Sequence, residues 1–172
     1  MISLYEVTVV NYCRVLDSTI EFLKKSEAHF LKNGQDLDEI VNMKLASDML
    51  PFSFQVDSVR HHSLHAALGI LSGEFGPPAP LPQTDFHGLI DMLKVARKDL
   101  DEISADDIEK RCGQAVTFTM GSMKVPFTAE NFALSFSLPN VYFHSATTYD
   151  MLRIKGAPLG KMDFMGSMKI GV

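Results

Sequence analysis

The chain has 172 residues, 46% of them apolar and 22% charged, with a formal net charge of −5. That size and balance suit one globular domain, 1–172, with a sizeable core, and argue against wholesale disorder. An acidic chain without a basic stripe is a poor partner for phosphate backbones, and no apolar run approaches the roughly 20 residues that span a bilayer. Neither nucleic acid nor membrane is therefore an expected partner. The start, MISLYEVTVV, lacks a basic segment followed by a cleavable apolar one, so the expected location is cytoplasmic.

In chain order, the first element is a long helix over 3–32. Leu4, Val7, Leu16, Ile20, Leu23 and Phe30 recur at helical spacing, Ser3 with Glu6 forms a capping box, and Asn33-Gly34 stops the helix. Asp36 with Glu39 opens a short second helix. The residue before Pro51 is pushed out of α geometry, after which Phe52 to Leu71 resume the helical period up to Gly73. The proline-rich stretch GEFGPPAPLPQ is an irregular crossover. Thr84 is the expected cap of a third long helix, 85–103, and SADDIEKRCG is a polar connection with room for one helical turn. The period then changes to two. AVTFTM and MKVPF alternate about Gly121-Ser122, which predicts a hairpin over 115–127. Thr128 with Asn131 opens the fourth long helix, 129–155, and Pro139 should kink it. The tail from about 157 has no period and is expected to pack across the bundle or a partner. The fold class is mainly all-α: a helical bundle with a small β-hairpin before the last helix.

Two histidine-bearing stripes concentrate the chemistry. On the second long helix Gln55, Ser58 and His62 share one face, and His61 and His65 share another at four-residue spacing. Successive helical residues point about 100° apart, so the three histidines cannot all face inward, and His61 and His65 are expected at solvent or an interface. A His pair at this spacing can hold zinc or nickel once a third ligand arrives from elsewhere. On the fourth helix Asn140, His144 and Thr148 form one stripe, with Ser137 a turn earlier, and Tyr149 and Arg153 form the next. If these helices face each other, His62 and His144 meet in one polar patch. That patch is either a structural hydrogen-bond network or a pocket in which a histidine transfers a proton. Cys13 and Cys112 make neither a metal-type pair nor a disulfide framework and read as buried or half-buried thiols. The ten methionines and twelve phenylalanines suit an adaptable core. GSMK and GAPLGK lack the setting of a phosphate loop, and no nucleophile elbow or HExxH is present.

The stretches LASDMLPFSFQV and FALSFSLPNVYFHSATTYDMLRIKGAPLGKMDFMG resemble a DinB-like family known as a domain of unknown function, number nineteen ninety-three. The likeness runs from SLYEVTV to DFMG. It implies a DinB-like four-helix bundle, often a homodimer. In the wider DinB-like group a divalent metal commonly sits on three histidines, one from the second helix and two from the fourth, and some relatives are thiol-dependent transferases or isomerases. Carried over, His62 matches the second-helix histidine and His144 the one after LPN. Ser135 stands where a further histidine is expected, so no metal or other cofactor is expected here. The functional reading is a small-molecule-binding protein or enzyme of small-molecule, including secondary, metabolism. Its pocket performs acid/base chemistry of a metal-independent isomerase, lyase or transferase type. His144, His62, Asn140 and Tyr149 are the candidate catalytic residues, and Gln55, Ser58, Arg153 and Ser135 the candidate ligand-binding ones. The alternatives are a non-catalytic dimeric bundle and a divalent-metal transferase or isomerase.

Overall fold

The computed structural model describes residues 2–171. Helix α1 covers 6–32, beginning as a π turn at Glu6–Val10 and continuing as α-helix over Asn11–Lys32. Its capping box forms as expected. The Ser3 hydroxyl accepts from the Glu6 amide and the Glu6 carboxylate from the Ser3 amide, both at 3.1 Å. Short α2, Leu37–Asn42, is capped by the Asp36 carboxylate. Helix α3 covers 52–72, with α-helical Phe52–Arg60 and Ala66–Ser72 joined through a π turn at His61–His65. Gly73 ends it at φ 83°, where a Cβ would lie 3.2 Å from the Ala115 carbonyl oxygen.

Helices α4 (Phe86–Asp101) and α5 (Ala105–Glu109) follow, then strands β2 (Ala115–Met120) and β3 (Met123–Thr128). The hairpin turn predicted at Gly121-Ser122 is present, with Met120 opposite Met123. Helix α6 covers 129–154, with Ala129–Phe132, a π turn at Ala133–Ser137, and Leu138–Ile154. Thr128 caps it by accepting from the Asn131 amide at 3.2 Å.

Four details add to or change the sequence reading. The crossover contributes strand β1, Glu74–Phe75, which pairs parallel to β2 and makes a three-stranded sheet. A two-residue strand has no periodicity of its own and exists through its partner. The cap of α4 is Asp85, not Thr84, since its carboxylate accepts from the Gly88 amide at 2.7 Å. Pro139 follows a wide turn at Ala133–Ser137 and sits in the first turn of the regular segment Leu138–Ile154, where its missing N–H costs least. The tail forms a short helix, α7 (Lys161–Met165), fixed on α1 by the Lys25–Asp163 ion pair at 2.9 Å, and Phe164 meets Tyr149 edge-on. Cys13 is half-buried as expected, whereas Cys112 is exposed.

The four long helices enclose one apolar cluster, in which α3 packs on α6 and α1 on α4. Its largest buried rings join α1, α3 and α4. Phe52 stacks on Phe86 with centroids 5.6 Å apart, and Phe30 meets Phe86 edge-on at 6.4 Å. No helix among the described residues is long and apolar enough to cross a membrane. Truncating Phe86 to Ala leaves a cavity shared by three helices, so Phe86→Ala is expected to destabilise the bundle by about 3–5 kcal/mol. Urea denaturation followed by circular dichroism measures this, and a loss near zero would contradict the packing.

Candidate functional site between helices α3 and α6

The site lies where two wide turns meet. A π turn fits an extra residue into the helix and redirects the side chains it carries, a distortion common at functional sites. In α3 this brings both His61 and His62 inside, 5% and 9% exposed, with His65 half-buried. The expectation that His61 faces solvent or an interface is therefore corrected. It assumed regular α spacing, which the π turn removes. Opposite, the π turn of α6 carries Ser137, whose hydroxyl donates to the His62 carbonyl at 2.8 Å. The Ser137 proton is committed there, so the Tyr12 hydroxyl of α1 donates to Ser137 at 2.7 Å. Both side chains are fully buried, and burial pushes the Tyr12 phenol well above its ordinary range. This chain of hydroxyls ties α1, α3 and α6 together at one level.

Beside it the imidazoles of His62 and His144 stack nearly parallel, with centroids 5.7 Å apart and planes inclined by 9°. Gln55 orients the second ring. Its Nε2 donates to the Leu50 carbonyl at 3.0 Å, which turns Oε1 toward His144 Nδ1 at 2.8 Å. An amide oxygen only accepts, so His144 carries its proton on Nδ1 and keeps the Nε2 lone pair free. Nδ1 of His62 is buried and has no hydrogen-bond partner. Phenylalanines enclose the pair, with Phe54 edge-on to His144 at 6.0 Å and Phe136 and Phe75 against His62 at 5.7 and 5.8 Å.

This apolar wall sets the electrostatics. Desolvation lowers the His144 pKa to about 4. Desolvation, reinforced by neighbouring His61 and His144, lowers that of His62 to about 3. Both rings are neutral at neutral pH. They can accept a hydrogen bond or bind a cation, but they are not stores of a proton.

Of the other sequence candidates, Gln55 is at the ring pair and Ser58 is buried on the same helix. Asn140 turns back on its own helix, donating to the Phe136 carbonyl at 2.7 Å, so Gln55 and not Asn140 sets the tautomer of His144. Tyr149 lies elsewhere, between Phe22 and Phe164 under α7. Arg153 is exposed, and exposed Ser135 donates to the Asn131 carbonyl. The structure does not bring these three to the histidines. Residues not singled out as site groups in the sequence are Tyr12, Leu50, Phe75 and Phe136. They act through tertiary contacts or a main-chain oxygen, and only the aromatic richness around the histidines signalled any of them.

A three-histidine metal centre is not assembled. His62 and His144 supply two nitrogens, Ser135 faces away, and no group of three His, Cys, Asp or Glu among the described residues has metal-binding geometry.

No curated protein matches the chain. A solved structure, that of a DinB family member protein from Shewanella denitrificans at 1.83 Å resolution, superposes with a TM-score of 0.84 at 23% identity, covering 98% of this chain and 95% of that one. The likeness establishes a shared fold. The family model described as Domain of unknown function (DUF1993) matches residues 4–165. The chain belongs to that family, and it has the DinB-like helical fold.

Proposed function

We propose that the protein binds a small, predominantly apolar molecule at the His62–His144 pair, held by hydrogen bonds that the neutral imidazoles accept. The observation that carries this is the unpartnered nitrogen. A buried polar atom without a hydrogen bond costs about 1–3 kcal/mol, and native interiors seldom leave one without a use. His62 Nδ1 is such an atom, and it sits in a ring stacked on His144, whose Nε2 also lacks a partner among the described residues. A purely structural network would satisfy the buried His62 Nδ1. The Tyr12–Ser137 chain does so for its own atoms, and that part of the polar patch fixes the helices.

The surroundings favour an uncharged ligand. Desolvation is the sole cause of the His144 shift, so no ionised neighbour offers a counter-charge. Leu50 and Phe54, which hold Gln55 and pack on His144, also line a neighbouring groove of about 410 Å³, which the two histidines themselves do not line. Such a ligand has an apolar body and a hydroxyl or comparable donor. A neutral imidazole of such low basicity accepts a hydrogen bond from that donor and leaves the proton on the ligand.

Three outcomes test the reading. With 2-naphthol as probe, the imidazole nitrogen resonances of His62 and His144 are expected to shift on titration, and His144→Ala and His62→Ala to weaken binding at least tenfold. Melting within a few degrees of the native protein accompanies this. Variants that melt early while the folded fraction still binds would leave only the structural role. Second, elemental analysis of purified protein is expected to find no transition metal that His144→Ala loses. One equivalent lost on that substitution would establish a metal centre instead.

The third outcome concerns pH. The folded pKa values of about 3 and 4 lie below the ordinary 6.5, so between these limits the unfolded chain binds more protons than the folded one. The contribution of the neutral pair is fully present above about pH 6.5 and is lost progressively toward pH 3. The melting temperature is expected to fall across that window, and less steeply in His62→Gln. Equal slopes for the two proteins would refute burial of a neutral His62.

A further inference from the structure

A second histidine pair, both members on α3, adjoins that site, with His61 edge-on to His62 at 5.2 Å, and has hydrogen-bond partners of its own. His61 Nε2 lies 2.8 Å from the Gly76 carbonyl, so it carries the proton and Nδ1 keeps a lone pair. That lone pair faces Nδ1 of His65 at 3.2 Å. The His61 ring is held in place by Phe75, 4.6 Å away between centroids. His65 Nε2 is 3.4 Å from Arg60 Nη1, and Arg60 is itself neutralised by the buried Asp57 carboxylate at 2.6 and 2.8 Å.

We propose that His61 and His65 form a transition-metal chelate, with both Nδ1 atoms directed at one cation in the groove beside Gly76. Two nitrogens bound to a metal at about 2.0–2.1 Å, with coordination angles of about 90–109°, sit roughly 2.9–3.4 Å apart. The observed 3.2 Å lies in that interval. Metal-binding histidines almost always donate their other N–H to a carbonyl or carboxylate, as His61 does to Gly76. Burial holds both rings in the uncharged form a metal requires, lowering His61 to about 4 and His65 below its ordinary value. Both rings line an open groove of about 630 Å³, so a cation reaches them from solvent.

Without metal the two Nδ1 atoms share one proton, donated by His65. On binding, His65 moves that proton to Nε2, with the weak 3.4 Å contact to Arg60 as the interaction given up. Among the described residues no third side chain completes the set, so the remaining positions belong to solvent or to a ligand. A two-imidazole site of this kind follows the general order of affinities and prefers Cu(II).

Titration of the full chain with Cu(II), followed by calorimetry and electron paramagnetic resonance, tests this. One equivalent is expected, with hyperfine structure from two nitrogens. Half-buried His65 is the position to vary. His65→Ala and His65→Gln are expected to retain native circular dichroism and to weaken binding at least tenfold, while His144→Ala leaves it unchanged. Equal affinity in the His65 variants would show that the pair is a hydrogen-bond chain only. Loss in His144→Ala alone would move the metal to the other pair. Neither result depends on whether His62 and His144 bind an organic ligand.

Discussion

The buried Ser137 hydroxyl is the point on which the arrangement turns. It accepts from Tyr12 of α1 and donates to the main chain of His62 in α3, from a position in α6. Three helices are thereby held at one level by two hydrogen bonds between fully buried groups, where losing either partner strands a polar group. Apolar packing alone is non-directional and tolerates small slides of one helix along another. The hydroxyl chain does not. It fixes the height of α3 against α6, and with it the overlap of the His62 and His144 rings.

The wide turns and this chain belong to one device. All three long helices it joins carry a π turn, at Glu6–Val10, His61–His65 and Ala133–Ser137. In α3 the wide turn carries two adjacent histidines that both enter the interior. In α6 the wide turn precedes Pro139 and presents Ser137 inward. Pairs of imidazoles with distinct surroundings follow. His62 and His144 stack among phenylalanines, with His62 Nδ1 left unpartnered, whereas His61 and His65 bond to each other and His61 also to the crossover. Desolvation keeps all four uncharged at neutral pH.

This arrangement separates the family's shared fold from its chemistry. The bundle superposes closely on a DinB family structure at 23% identity, so the helices and their order persist through extensive sequence change. A site depends on finer quantities: which nitrogen holds the proton, which carbonyl meets it, whether a third ligand is within reach. Ser135 lies on the surface, donates to the Asn131 carbonyl and takes no part in the histidine cluster.

The local features were legible in the sequence because short-range chemistry causes them. Ser3 with Glu6, Asp36, and Thr128 with Asn131 cap helices through atoms within three residues, and Gly121-Ser122 turns a hairpin whose strands alternate around it. The apolar period gave the long helices, and the facing of Gln55 and His62 toward His144 followed from helical stripes. The rest required the folded chain. Strand β1 exists through its pairing with β2, and α7 through its docking on α1. Regular spacing cannot foresee a π turn, so it placed His61 outside, and it could not show that Asn140 turns back on Phe136 while Gln55 orients His144. Tyr149 and Arg153 share the fourth helix with His144, but a helix has more than one face, and the packing of α1 and α7 decided which face each would meet. Spacing determines which side chains travel together on one element. Which elements meet, and which nitrogen is left without a partner, is decided by long-range packing that no local pattern encodes.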